Sequence, residues 1–145
     1  MQKLPHRYSV VASASEKSTV TLGSPGLSDI ESAAPAEFGG PGDLWSPETL
    51  FAAAVADCFL LTFRAIAKAS SIGWDSLECS VDAELDRVEK TTKFTNLNLH
   101  VTLKVPADSN EDKCLRLLQR AEDSCLITNS INATSHLIAE VQVAG

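Results

Sequence analysis

The fold of this chain is decided by residues 46–61, whose sequence is SPETLFAAAVADCFLL. Ser46, Pro47 and Glu48 predict a helix start, because a serine side chain can cap free backbone N–H groups and proline suits the first helical position. A carboxylate there also favours the positive end of the helix dipole. Apolar and small residues continue to Ala69, and Gly73 predicts the end of the helix.

The predicted helix is apolar nearly all the way round. Asp57, Arg64 and Lys68 interrupt it, which argues against a membrane span and favours the central helix of a soluble core. Cys58 lies near its middle. A free cysteine in such a helix is often a small packing residue, and it can also be a reactive thiol. The helix by itself leaves both interpretations open.

The composition predicts one globular domain covering residues 1–145, with 44% apolar and 21% charged residues. A net charge of −7 argues against nucleic-acid binding through a broad basic surface. The four cysteines, at positions 58, 79, 114 and 125, form no C-x-x-C pair, so we expect free thiols and predict no zinc site and no cofactor. The first eight residues lack an apolar stretch suited to secretion, so a cytoplasmic location is expected.

The N-terminal third predicts short strands. Residues Tyr8–Ala14 and Ser18–Leu22 can pair around a turn at Glu16-Lys17. A third short strand is expected near Leu27–Ile30. A loop rich in proline and glycine, Ala34–Leu44, then leads into the helix.

Two alternating runs after the helix, Glu78–Val88 and Phe94–Val105, predict a long antiparallel hairpin with one solvated face. A second helix is predicted to start at Ser109 or Asn110 and to end near Ser124. A bend follows, and Leu137–Val143 predicts a final strand. This order of elements indicates an α+β domain, because it contains no repeated strand–helix–strand unit.

Three stretches of the chain resemble the OsmC/Ohr family, the osmotically inducible and organic hydroperoxide resistance proteins. They are SPETLFAAAVADCF at residues 46–59, ELDRVEK at residues 84–90 and EDSCLITNSI at residues 122–131. With the order of elements, the resemblance covers nearly the whole chain. It implies an OsmC-like fold, with antiparallel sheets around a long central helix, in an intertwined homodimer with two active sites.

The resemblance also implies a thiol-dependent peroxidase that reduces organic hydroperoxides or hydrogen peroxide. By matching motif, Cys58 is the peroxidatic cysteine, Cys125 the resolving cysteine and Glu48 a residue that positions an arginine. A thiolate attacks the O–O bond, and the resulting sulfenic acid condenses with a second thiol to give a disulfide. A dithiol such as a lipoyl group then reduces the disulfide.

Helix geometry adds an inference about Glu48. Ten residues separate it from Cys58, which is roughly 15 Å along a straight helix axis. The two residues therefore cannot form one site within that helix. Either the chain before Leu50 folds back, or the glutamate comes from a partner whose central helix runs antiparallel. We favour the second arrangement, because the alanine-rich face suits close helix packing.

The sequence departs from the family pattern at the arginine. Glu37 stands where one branch has arginine before a phenylalanine, and Ala14–Ser18 contains no arginine where the other branch has one. Arg7 and Lys17 lie at different places, and a lysine lacks the fork geometry of a guanidinium. Arg87 on the predicted hairpin is a possible replacement, although a solvated strand charge is the simpler interpretation.

Two further departures lie beside the key cysteines. Asp57 precedes Cys58, and a carboxylate there would raise the pKa of the thiol. Leu126 replaces the family's common proline after Cys125. Without a fixed cation the Cys58 thiol is expected to be mostly protonated near neutral pH. An alternative function is therefore an OsmC-like redox-sensing or small-molecule-binding protein with little peroxidase turnover. Cys79 and Cys114 are assigned to packing.

Overall fold

The computed structural model describes residues 2–145 and divides into two compact units. One unit ends at Leu50 and the other covers Phe51–Gly145. The boundary falls in the first turns of the long helix. The units are described separately below, and a single domain over residues 1–145 stays a prediction.

The N-terminal unit contains a small antiparallel sheet with the order β1-β2-β3. Its strands are β1 (Val11–Ser13), β2 (Val20–Gly23) and β3 (Ile30–Ser32). The predicted hairpin with its turn at residues 16–17 and the third strand are confirmed, although β1 is shorter than expected and β3 begins at Ile30. A 3₁₀ turn at Ala36–Phe38 follows in the loop.

The long helix α1 covers Pro47–Ala69, as the opening stretch predicts. The Ser46 hydroxyl accepts a hydrogen bond from the Thr49 N–H at 3.1 Å, and the Thr49 hydroxyl accepts one from the Ser46 N–H at 2.8 Å. These reciprocal bonds cap the helix start. The helix ends earlier than Gly73 predicted, because Ser71 already adopts a left-handed conformation with φ of 54°.

The C-terminal unit consists of β4 (Ser76–Val88), β5 (Thr91–Val105), α2 (Glu111–Ser124), a 3₁₀ turn (Thr128–Ser130) and β6 (Thr134–Val143). Its sheet has the order β4-β5-β6. The long β4–β5 hairpin is confirmed as antiparallel, but β6 lies parallel to β5. The expectation of purely antiparallel sheets is therefore wrong for this unit. Helix α2 supplies the crossover that a parallel pair requires.

The core of this unit lies between one face of the sheet and the two helices. A stripe along α1 is fully buried, formed by Val55, Phe59, Phe63 and Ala67. By length and composition alone, α1 is also the one helix among residues 2–145 that could cross a membrane, so the three charges do not exclude a span by themselves. Only about a fifth of the apolar stretch of α1, 22%, is buried within the chain. The other core residues are Leu97, Leu99, Val101, Leu103 and Val105 of β5 and Cys114, Leu117, Leu118 and Ala121 of α2.

The loop before α1 makes one close backbone approach that only glycine permits. A Cβ atom at Gly40 would overlap the carbonyl oxygen of Ala34, whereas a Cβ atom at Gly73 would meet nothing within 4 Å. We expect Gly40→Ala to lower the free energy of unfolding by about 2 kcal/mol or more, because the backbone must shift. Gly73→Ala, the matched control, should change it much less. Urea unfolding of both variants checks this, and equal midpoints would contradict the loop geometry.

Candidate two-cysteine site

Cys58 lies near the middle of α1, on a half-buried part of the helix. One turn later the Thr62 hydroxyl lies 3.8 Å from the Cys58 sulfur, which is hydrogen-bonding distance for a sulfur atom. Residues four apart on a helix share a face, so the helix itself places this hydroxyl beside the thiol.

Cys125 follows the last residue of α2 and is fully buried. Packing within the C-terminal unit places its thiol beside the Cys58 thiol, close enough that each shifts the pKa of the other. Both cysteines are free thiols, with no disulfide between them. The structure therefore joins two of the three predicted site residues, which are remote in sequence.

The backbone after Cys125 faces the two sulfur atoms. The backbone of Ile127 and Leu126 lies beside the Cys58 sulfur and lowers the pKa of that thiol. The Thr128 hydroxyl donates a hydrogen bond to the Cys125 carbonyl oxygen at 3.1 Å, and Thr128 lowers the pKa of the Cys125 thiol. Residues 126–128 thus lie next to the thiol pair, and each of them acts to lower the pKa of one of the two thiols.

These contacts give the two thiols different acidities. Partial burial by itself raises the pKa of Cys58, but the groups of Ile127, Cys125, Thr62 and Leu126 beside the sulfur outweigh it and hold the pKa below its ordinary value. Burial raises the pKa of Cys125, and the neighbouring Cys58 sulfur raises it further, which Thr128 only partly offsets. Cys58 is therefore the more acidic thiol of the pair and Cys125 the less acidic one.

The lowered pKa of Cys58 comes from a source that the sequence argument did not consider, and a thiol that is mostly protonated near neutral pH stays a prediction. The sequence argument considered cationic side chains only, and here the backbone beside the sulfur acts in their place. Asp57 is exposed and is not among the groups that perturb the thiol. The helix rotates by about 100° from Asp57 to Cys58, which separates the two side chains around the axis.

Glu48 lies in the first turn of α1, on the wall of an apolar cavity of about 460 Å³ in the N-terminal unit. Its Oε1 atom is buried and has no hydrogen-bond partner among residues 2–145. Helix α1 is continuous from Pro47 to Ala69, so roughly 15 Å of helix axis separates Glu48 from Cys58. A hydrogen-bond donor to this oxygen is thus not supplied by the described part of the chain.

The residues considered for the arginine role all lie at the surface. Glu37 is exposed in the 3₁₀ turn before α1, and Arg7, Lys17 and Arg87 are exposed as well. None of them is among the groups that perturb Cys58. Within residues 2–145 the ion pair observed is between His100 and Asp82, at 3.7 Å on the outer face of the sheet.

Cys114 and Cys79 pack on the inner faces of a helix and a strand, as the sequence predicts. Cys114 lies in the core, and burial raises its pKa. Cys79 lies on the inner face of β4, where burial raises its pKa to about 12, with smaller contributions from the neighbouring Glu122 and Cys125. Both remain protonated at neutral pH and are poor nucleophiles.

Sequence reasoning missed the backbone of residues 126 and 127 and the Thr62 hydroxyl. The threonine was visible as a polar residue one turn after Cys58, and Leu126 carries a backbone N–H that a proline would lack. Glu122 was missed as well. It is buried and accepts a hydrogen bond from Ser135, while its Oε2 atom has no partner among residues 2–145.

An adjacent thiol pair of unequal acidity, on an α+β fold with one long helix beneath it, defines a two-cysteine thiol protein. The family model for OsmC-like proteins matches residues 40–139. The chain belongs to this family. The Bacillus subtilis (strain 168) protein YmaD is 22% identical over 112 residues, which cover 75% of each chain.

Solved structures of OsmC-like proteins have the same fold as this chain. An OsmC-like protein of Vibrio cholerae superposes with a TM-score of 0.84 at 19% identity, covering 92% of this chain and all of the other. An organic hydroperoxide resistance protein OsmC from Legionella pneumophila is 26% identical with a TM-score of 0.74, covering 96% of this chain and all of the other. The Legionella protein is named for resistance to organic hydroperoxides.

The different acidities predict selective labelling. At pH 7.5 iodoacetamide should alkylate Cys58 at least about tenfold faster than Cys79, because the pKa of Cys58 is lowered whereas that of Cys79 is raised to about 12. The rate at Cys58 should fall about tenfold per pH unit below its pKa. Peptide mapping by mass spectrometry measures this, with urea-unfolded protein, in which all four cysteines react, as the control. Equal rates at Cys58 and Cys79 would contradict the site.

Proposed function

We propose that the protein is a thiol-dependent peroxidase, with peroxiredoxin-type chemistry, that reduces organic hydroperoxides or hydrogen peroxide. One observation carries the proposal: the structure places a cysteine of lowered pKa beside a second, less acidic cysteine. The family membership and the hydroperoxide resistance named for the Legionella relative support it.

In the first step the Cys58 thiolate attacks the terminal oxygen of the peroxide. The O–O bond breaks, an S–O bond forms, and the alkoxide leaves and takes a proton to become an alcohol, or water in the case of hydrogen peroxide. Cys58 is oxidised to a sulfenic acid while the peroxide is reduced. Attack by a thiolate requires the lowered pKa that the surrounding donors provide.

In the second step Cys125 attacks the sulfenic sulfur of Cys58. An S–S bond forms, the S–O bond breaks, and the leaving hydroxide takes the Cys125 proton to become water. An external dithiol, such as a lipoyl group on a partner protein, then reduces the disulfide and becomes oxidised. The cycle uses no metal or organic cofactor, and we place it in the cytoplasm, where dithiol reductants are available.

We also propose an intertwined homodimer in which Glu48 of one subunit completes the site around the partner's Cys58. The unpartnered Oε1 of Glu48 and the length of α1 support this arrangement. Exposed apolar side chains of the N-terminal unit support it too, since a monomer rarely leaves so many uncovered. They include Tyr8, Val10, Val11, Leu27, Phe38 and Trp45.

Peroxide consumption with a dithiol reductant tests the enzyme. Cys58→Ser should abolish turnover, because it removes the nucleophile. Cys125→Ser should stop at a Cys58 sulfenic acid that dimedone traps and that does not proceed to an internal disulfide. The matched control, Cys79→Ser, should retain activity. Equal rates in wild type, Cys58→Ser and Cys125→Ser would rule the peroxidase out. Slow formation of the disulfide without turnover would indicate a redox sensor instead.

The origin of Glu48 can be tested with heterodimers purified through two different tags. A heterodimer of Glu48→Gln and Cys58→Ser subunits should have one intact site and about half of the wild-type activity if the site is shared between subunits. A heterodimer of wild type with the Glu48→Gln, Cys58→Ser double variant should then be nearly inactive. The reverse pattern, with only the second heterodimer active, would show that each subunit completes its own site.

A further inference from the structure

The last turn of α2 carries a buried carboxyl group. Glu122 is only 8% exposed, and among residues 2–145 it is the one charged residue that is buried. Burying a carboxyl group is costly unless it is well paired, and the negative end of the helix dipole adds to that cost. An apolar side chain would fill this place in the core more favourably, so Glu122 requires an explanation other than packing.

The side chain of Glu122 ties the end of α2 to the sheet. Its Oε1 atom accepts a hydrogen bond from the hydroxyl of Ser135, near the start of β6. Ser135 lies opposite the fully buried Leu97 of β5 in the parallel ladder. Oε2 is buried without a partner among residues 2–145. Within the described chain the Ser135 bond is therefore what fixes the Glu122 carboxyl group, and such a bond is strong in a buried site.

Glu122 is also linked directly to Cys125. The Cys125 N–H donates a hydrogen bond to the Glu122 carbonyl oxygen at 3.3 Å, and residues three positions apart are neighbours on a helix surface. Both residues are buried. On the other side, the Cys125 carbonyl oxygen accepts hydrogen bonds from the Thr128 hydroxyl at 3.1 Å and from the Asn129 N–H at 3.0 Å. The position of Cys125 thus depends on the loop that follows it and, through Glu122, on β6.

We propose that Glu122, held by Ser135, is a positioning residue for Cys125: it fixes the end of α2 so that the Cys125 thiol stays beside the Cys58 thiol. This inference rests on the proposed function only in assigning Cys125 as the resolving thiol. A disulfide has narrow limits of distance and dihedral angle, so a small displacement of the helix end disfavours its formation. Glu122 acts through Cys125 and takes no part in the bond changes.

The first experiment measures the equilibrium of the Cys58–Cys125 disulfide with glutathione. In this exchange the two protein thiols are oxidised to a disulfide while one glutathione disulfide is reduced to two thiols. Ser135→Ala removes the hydrogen-bond donor and should lower the equilibrium constant for the protein disulfide roughly tenfold, because the two thiols are less well aligned. Ser135→Thr keeps a hydroxyl and should stay within about twofold of wild type.

Leu137→Ala is the matched control. Leu137 lies two residues after Ser135 on the same face of β6 and packs against the core. Its truncation lowers the stability of the protein without removing a hydrogen bond to α2. The glutathione equilibrium of the folded Leu137→Ala protein should therefore stay within about twofold of wild type.

A second measurement uses Cys114 as an internal reference. Cys114 and Cys125 are both buried, at opposite ends of α2. Slow alkylation followed by peptide mapping reports how often each thiol becomes accessible. Ser135→Ala should raise the rate at Cys125 at least about fivefold more than the rate at Cys114, because only the end of α2 is released. Leu137→Ala should raise both rates alike, as global destabilisation does.

Two results would overturn the proposal. One is a Ser135→Ala protein whose glutathione equilibrium and Cys125 labelling match those of Leu137→Ala. The other is a folded Ser135→Thr protein that loses as much as Ser135→Ala in both measurements, which would show that the hydroxyl is not what holds Cys125. Neither measurement uses peroxide, so a failure of the positioning role is separable from a failure of the peroxidase assignment, which peroxide consumption by the wild type tests.

Discussion

The proximity of the Cys58 and Cys125 thiols is the constraint on which the rest of this site depends. It requires the buried stripe of α1 to pack on the sheet so that Cys58 faces the end of α2. It also requires α2 to end at Ser124, since one more turn of helix would direct Cys125 elsewhere. The site is therefore a consequence of where two helices are placed by one hydrophobic core.

The electrostatic character of the site comes from the backbone. The chain has a net charge of −7, so its overall electrostatic field does not stabilise a thiolate. Groups next to the sulfur must stabilise the negative charge instead. The backbone suits this task because the fold fixes its direction and its orientation costs no side-chain entropy. The same loop that supplies Cys125 supplies this backbone, which keeps the second thiol and the stabilising groups within a few residues of one another.

Much of the fold was predictable because its signals are local. The cap at Ser46, the alternation along β4 and β5 and the spacing of apolar residues in α2 are properties of neighbouring residues, and the structure contains each of these elements. The errors have physical causes. The end of α1 depends on a left-handed serine that no composition rule indicates. The parallel pairing of β6 depends on the path of the chain over the sheet.

The sequence by itself determined most of the helices and strands, because short-range periodicity carries that information. It also determined which two cysteines match the family motifs and that no arginine stands where the family has one, because these depend only on residue identity. Only the tertiary structure decided that the two thiols lie side by side and that Cys58 is the more acidic one. The physical reason is that acidity depends on which groups surround the sulfur, and the backbone of Leu126 and Ile127 reaches it only after α1 and α2 have packed together. The main chain is chemically alike at every residue except proline, so its effect on a distant sulfur has no signature in the sequence.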